Sequence, residues 1–257
     1  RARGCEMTNV ELKERPAGET AESVQITDLT VIRAALADPE FPLLVSFPRT
    51  GSHWLRMLME LYFERPSLVR VFYYADRTDW LTLHTHAQPG DLMDRLGETC
   101  ERRDVIYLYR DPVHTVYSQL RFYDEPVDDE GRIRHWADAY GRHVERWLGA
   151  ECVAKRKAVV TYEGMRRDLP REFAKVAAFF GGVLEAAKLE AAAARVTKDA
   201  LQKKVGDAQP NVVDTSETYN EQRETFEGRH ASLIWDTVLA QRADLERHFA
   251  YLGKETP

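Results

Sequence analysis

The sequence predicts an α/β fold, a three-layer sandwich around a central, mainly parallel sheet, and three observations carry that expectation. Leu43–Phe47, Val105–Tyr109 and Ala158–Tyr162 are short apolar runs without a charge, as expected of parallel strands covered on both faces. Segments of helical period separate them, so strands alternate with helices and βα units follow. The first two runs end in polar turns, Pro48–Ser52 and Arg110–Pro112. In sheets of this kind ligands sit just beyond the carboxyl ends of the strands.

Taken in order, residues 1–22 are polar and aperiodic and read as a flexible lead-in. Asp28–Ala37 reads as a short helix with Asp28 as its cap. Leu43–Phe47 is the first buried strand, stopped by Pro48, which has no N–H to donate. Gly51 permits a backbone angle other residues resist, Ser52 is the expected cap, and Trp54–Phe63 continues as a helix ended at Arg65-Pro66. Leu68–Tyr74 and Trp80–His84 are short strand or loop segments, and Asp91–Leu96 a short helix. Val105–Tyr109 is the second strand, after which Asp111 caps and Pro112 opens a helix. Asp124–Gly131 is an acidic loop, and Ile133–Leu148 a long amphipathic helix with Trp136, Tyr140, Val144 and Trp147 on one side. Ala158–Tyr162 is the third strand. Helices are expected over Pro170–Phe180, Leu184–Ala194, Lys198–Lys204 and Arg229–Tyr251, with Gly206–Thr218 a mobile loop.

Composition narrows the function. The chain has 257 residues, which suits a single domain over 1–257. Lys and Arg total 36 against 42 acids, a net charge of -6, so there is no general basic field for nucleic acid and any anion site is local. Cys5, Cys100 and Cys152 form no Cys-X-X-Cys pair, which points to a reducing, cytoplasmic setting without a disulfide framework. No apolar run approaches the ~18 residues of a membrane span. The Arg-Ala-Arg-Gly start reads as a tag scar or a trimmed end and leaves an earlier anchor or signal open. Oligomeric state is not legible.

The stretch around Gly51 carries the chemistry. A strand, a tight turn and a helix start aim backbone N–H groups and the positive helix end at one point, which suits an anion, most often a phosphate. Arg49, Thr50, Ser52 and His53 add side-chain donors. A Walker A loop is not present, since that motif needs a second Gly and a Gly-Lys-[Ser/Thr] ending. Arg110 offers a planar fork for a second phosphate, and Ser118 follows two helical turns on. His84-Thr85-His86 lies just past another strand end. Its two imidazoles share a strand face, which is compatible with a catalytic base, a metal pair or polar surface.

Pro48-Arg49-Thr50-Gly51-Ser52-His53-Trp54 resembles, position by position, the 5′-phosphosulfate loop of the sulfotransferase family, Pro-[Lys/Arg]-[Ser/Thr]-Gly-[Thr/Ser]-X-[Trp/Leu]. Cytosolic members usually carry Lys at position 49 and Thr at position 53. Tyr107–Pro112 with Ser118 resembles the family's 3′-phosphate motif, and Thr161-Tyr162-Glu163 its Tyr-Glu pair beside the nucleotide. His84-Thr85-His86 is similar to the Lys-Thr-His tripeptide whose His is the catalytic base, with His84 in place of Lys. The resemblance covers about residues 42–180. It implies a P-loop-NTPase-like sulfotransferase fold and 3′-phosphoadenosine 5′-phosphosulfate (PAPS) as co-substrate, with adenosine 3′,5′-bisphosphate (PAP) as product and no metal requirement.

The implied catalytic residues are His86, as base, and Arg49, which would stabilise the leaving phosphate. The implied nucleotide set is Arg49, Thr50, Gly51, Ser52, His53, Trp54, Arg110, Ser118, Tyr162, Thr197 and Arg229. Trp54 and Tyr162 have two readings, adenine contact or core packing. The family's closing Arg-Lys-Gly segment is missing, and Arg223 or Arg229 are the residues at a comparable place. The implied acceptor is a small molecule with a hydroxyl or amine, and Phe72, Tyr73, Tyr74, Trp80, Phe122, Tyr123 and Trp136 are candidates for its pocket or for core. Two competitors remain at this point: an ATP-dependent small-molecule kinase with a divergent phosphate loop, and a nucleotide-binding protein without catalysis.

Overall fold

The computed structural model describes residues 22–149, 154–205 and 218–252. In chain order the elements are β1 (Val24–Gln25), α1 (Leu29–Leu36), β2 (Leu43–Ser46), α2 (Ser52–Phe63), β3 (Arg70–Val71), β4 (Leu83–Thr85), α3 (Leu92–Leu96) and β5 (Asp104–Tyr109). They continue with α4 (Pro112–Phe122), α5 (Glu130–Leu148), β6 (Arg156–Thr161), α6 (Tyr162–Arg167), α7 (Leu169–Phe179), α8 (Ala186–Arg195), α9 (Lys198–Val205), α10 (Tyr219–Leu239) and α11 (Glu246–Phe249). The central sheet has order β4-β2-β5-β6 and is parallel throughout. β1 and β3 form a small antiparallel pair beside it.

Side chains alternate across the strands and so divide the core in two. Leu43, Val45, Val105 and Tyr107 join Tyr140, Trp147 and Trp235 on the face covered by α4, α5 and α10. Leu44, Ile106, Leu108 and Val160 join Leu55, Leu58 and Phe173 on the face covered by α2 and α7. This is the expected three-layer sandwich, with strands apolar on both faces because helices cover both.

The topology also fixes where a ligand can bind. The chain leaves β2 for the β4 edge, and leaves β5 for β6 on the other side. The turns after β2 and β5 therefore diverge, which opens a crevice at this switch point. Ser46 pairs with Leu108, so the Pro48 and Arg110 turns begin at nearly the same height.

Several expectations shift. Gly51, with φ +96°, is the N-cap of α2, and Ser52 is its first helical residue rather than its cap. Tyr162 opens α6 behind the Thr161 cap, so the third strand ends one residue earlier. Helix α5 starts at Glu130, where Asp129 accepts a bond from the Arg132 N–H. The C-terminal helix runs Tyr219–Leu239 instead of Arg229–Tyr251. Its first turns are strongly charged, so periodicity marks them poorly, and its end at Leu239, capped by Ala240, carries no Gly or Pro signal. The lead-in over 1–21, the loop over 206–217, Cys5 and Cys152 lie outside the described residues. Cys100 is buried and free, and burial pushes its thiol up to about 11.

Candidate functional site

A cavity of about 1250 Å³ opens at the switch point, large enough for a nucleotide and a second small molecule together. One half of it is built from the two strand-end turns. Arg49 has φ +69°, and its carbonyl accepts a bond from Arg110 Nη1 at 3.2 Å. Arg49 Nε donates to Ser118 Oγ at 3.2 Å, and its guanidinium lies 4.6 Å from the Phe122 ring centre. Burial lowers the Arg49 pKa to about 10, which still leaves the group charged near neutrality.

Arg110 is held from three sides. The Tyr140 hydroxyl donates to its carbonyl, its guanidinium lies 4.3 Å over the Tyr162 ring, and Glu163 Oε1 is 3.9 Å from its Nε. Glu163 also accepts bonds from the Asp111 N–H and the Tyr251 hydroxyl. Arg110 Nε is nonetheless buried without a hydrogen-bond partner. A charged donor in that state is unfavourable unless a ligand completes it.

Gly51 permits the close approach of Tyr162. A Cβ at Gly51 would stand 2.6 Å from Tyr162 Cδ2, closer than packing allows. Trp54 meets the same ring edge-on at 5.7 Å. Tyr162 thus has its ring against Gly51, Arg110 and Trp54 while still bordering the cavity. Thr50 is fully buried, and its hydroxyl donates to the Phe47 carbonyl at 2.8 Å, so that side chain closes the turn and is not presented to a ligand. Ser52 lines the cavity, and so does Thr197, whose Oγ1 accepts from the Ala200 N–H.

The other half gathers histidines and two arginines. His86 Nδ1 lies 2.8 Å from the Ser46 carbonyl. A carbonyl can only accept, so Nδ1 carries the proton and Nε2 keeps its lone pair. Burial holds His86 below the ordinary histidine range, which keeps it neutral near pH 7. His84 is half-buried beside it, edge to face at 4.7 Å, with Nε2 2.9 Å from Ser46 Oγ. Among the described residues no group of three or more His, Cys, Asp or Glu that could hold a metal ion occurs. His53 Nε2 accepts from Arg70 Nη1 at 3.1 Å, so its proton is on Nδ1 and its ring faces the histidine half.

Sequence reasoning missed three contributors, His143, Arg56 and Arg70, and left a fourth, Arg223, as an alternative to Arg229. His143 is buried, donates from Nε2 to the His86 carbonyl at 2.9 Å, and accepts from the Tyr107 hydroxyl at 3.0 Å. Burial pushes its pKa down to about 3, so it is neutral. The signal was present, because His143 falls on the apolar stripe of α5 between Tyr140 and Trp147. Arg56 is a charge inside the buried face of α2, a visible anomaly. Arg70 carried no signal. Arg223 lines the cavity with Nε buried and without a hydrogen-bond partner, whereas Arg229 is exposed and stands outside it. Of the aromatic candidates, Phe122 and Tyr123 border the cavity, Phe72 and Tyr73 are core, and Trp80 lies in a separate surface pocket with Arg65.

A parallel sheet with a strand-turn-helix loop at its switch point defines a P-loop-like α/β protein. The sulfotransferase-domain family model matches residues 40–226, and the chain belongs to that family. Mouse sulfotransferase SULT7A1 complexed with PAP has a similar fold (TM-score 0.55, 16% identity, 88% of this chain and 94% of that one). Retinol dehydratase in complex with androsterone and PAP is similar as well (TM-score 0.51, 14% identity, 80% of this chain and 85% of that one). No curated protein matches the chain in sequence. At the level of class the protein is a sulfotransferase. No helix among the described residues is long and apolar enough to cross a membrane.

Proposed function

We propose that this single-domain protein, acting in the cytoplasm, transfers a sulfuryl group from PAPS to a hydroxyl or amine of a small-molecule acceptor, with His86 as the base. The observation that carries the reading is the His86–Ser46 bond, which fixes a neutral imidazole with a free Nε2 on the wall of the cavity that holds the anion loop. PAP in complexes of two proteins of this fold supports the donor assignment. So do the buried Nε atoms of Arg110 and Arg223 that lack a hydrogen-bond partner, which suit a doubly phosphorylated nucleotide.

The chain's residues then divide the work. Backbone N–H groups at the α2 start, with Ser52 and Arg49, bind the 5′-phosphate and stabilise the charge that grows on it. Arg110 and Ser118 bind the 3′-phosphate, with Arg223 from α10 in place of the missing Arg-Lys-Gly segment. His53, Trp54, Tyr162 and Thr197 border the nucleoside. Bound PAPS supplies an activated sulfuryl group, whose bond to the 5′-phosphate oxygen breaks as the acceptor oxygen bonds to sulfur. His86 Nε2 takes the acceptor proton. Positioning and electrostatics suffice, without a covalent enzyme intermediate or a metal.

The test is a calorimetric titration with PAP, beside ADP and ATP with magnesium, on wild type and Arg110→Ala. Metal-free binding of PAP, weakened at least about tenfold by Arg110→Ala, is expected, since a charged hydrogen bond is worth about 1.5–3 kcal/mol. Preference for ATP with magnesium would replace this reading with the kinase one.

A further inference from the structure

The cavity is strongly basic in a chain of net charge -6. Seven arginines and Lys198 line it, against one carboxylate, Asp124, among the described residues. Arg49, Arg110 and Arg223 stand where the phosphates of a nucleotide would be neutralised. Arg56 and Arg70 stand elsewhere, on the histidine side.

Arg56 is only 3% exposed, so little water reaches its guanidinium. Its Nη2 donates to the Arg70 carbonyl, its face lies 4.9 Å from the Phe72 ring centre, and its Nε is buried without a hydrogen-bond partner. No carboxylate lies within ion-pair distance of it among the described residues. The nearest acid along the helix, Glu60, spends its oxygens on the N–H groups of Ser67, Phe72 and Tyr73. Burial pushes the Glu60 pKa up to about 7, so it offsets the arginine charge only in part. Burial also lowers Arg56 to about 10, which leaves it a cation. Those three Glu60 bonds hold the 67–73 segment in place, and with it Arg70, which reaches the cavity and donates to His53. Two guanidinium groups are thus built into the wall beside His53, His84 and His86, all of them neutral.

We propose that Arg56 and Arg70 form an oxyanion subsite, and that the acceptor is a hydroxyl compound carrying a carboxylate or a comparable oxyanion. The Arg56 guanidinium, buried and with its Nε lacking a hydrogen-bond partner, is costly alone and favourable once an oxyanion meets it. Neutral histidines between this pair and the loop let the acceptor hydroxyl approach His86 while its anionic end is held by the arginines. The inference rests on the sulfuryl-transfer reading and specifies its acceptor.

The test uses PAP-saturated full-length protein titrated with 4-hydroxybenzoate, 4-hydroxyphenylacetate and 3-(4-hydroxyphenyl)propanoate, each beside its neutral amide. At least one acid is expected to bind tenfold or more tightly than its amide. Arg56→Met and Arg70→Gln should each erase most of that preference while PAP binds as in wild type, which also reports that the variants fold. The subsite is overturned if no acid outbinds its amide. It is equally overturned if both variants keep the preference, or weaken acid and amide alike. Loss of PAP binding by the wild type would overturn the sulfuryl-transfer reading instead.

Discussion

The loop half of the cavity draws its groups from turns that are nearly continuous in sequence, Pro48–Trp54 and Arg110–Ser118. The histidine half assembles His86, His143, Arg56, Arg70 and Ser46 from β2, β5-facing α5, the interior of α2 and two short segments. The first half works through backbone: a left-handed Arg49 and Gly51, a helix start, a turn closed by the Thr50 hydroxyl. The second works through side-chain contacts that span 17 residues for Arg70–His53, 40 for His86–Ser46 and 57 for His143–His86. Backbone geometry constrains adjacent residues and leaves a motif. Long-range side-chain contacts leave none, and they are where an acceptor pocket can change without disturbing the donor site.

The largest expected effect separates the halves. His86→Ala should lower kcat by about 10²- to 10⁴-fold, the usual contribution of a positioned base, with PAP affinity unchanged by calorimetry. A wild-type turnover rate in His86→Ala would remove the base from the mechanism. The pH dependence sharpens the same point. A base must be deprotonated, and burial holds His86 below the ordinary 6.5. The rate should therefore already be on its plateau at neutral pH and fall only on further acidification.

Gly51→Ala tests the loop half and should act in the opposite sense, on binding more than on chemistry. The new Cβ would meet Tyr162 Cδ2 at 2.6 Å and Cε2 at 3.0 Å, at a φ of +96°. Strain of this kind costs about 1–3 kcal/mol, so PAP affinity should fall about tenfold or more. Gly51→Ala combined with Tyr162→Ala relieves the contact but not the backbone strain, so it should recover part of the apo-protein Tm and not all of it. Unchanged affinity in the single variant would mean that this backbone does not contact the nucleotide.

How far the sequence is legible follows the same division. The three core strands, the Asp111-Pro112 helix start and the Asp28 cap are visible because each depends on a few adjacent residues. Arg49, Ser52, Arg110 and Ser118 come together in one cavity as their motifs imply. Arg229 misleads because the true start of α10 is polar; once the helix begins at Tyr219, Arg223 borders the cavity and Arg229 points away from it. Arg70 is unreadable because its position depends on three bonds to Glu60, a buried acid on another element.

The smallest predicted effect falls on His143, which touches no ligand and acts through His86. Its Nε2–H anchors the His86 carbonyl, and the Tyr107 hydroxyl fixes its tautomer. As a positioning residue it should move kcat and leave PAP binding alone: His143→Leu is expected to lower kcat about tenfold, the scale on which small displacements of a catalytic group act. His143→Gln retains an N–H donor and should recover most of the rate. Stability gives an independent reading. The folded pKa is about 3 against an unfolded value near 6.5, so between those limits the unfolded chain binds more protons. Stability from this group is present above pH 6.5 and is lost as pH falls toward 3. Urea unfolding from pH 7 to pH 4 should show a steep acid loss in wild type and a shallower one in His143→Gln, by about one proton. Equal slopes would mean that His143 is not neutral in the fold, and the anchor it gives His86 would then have a different origin.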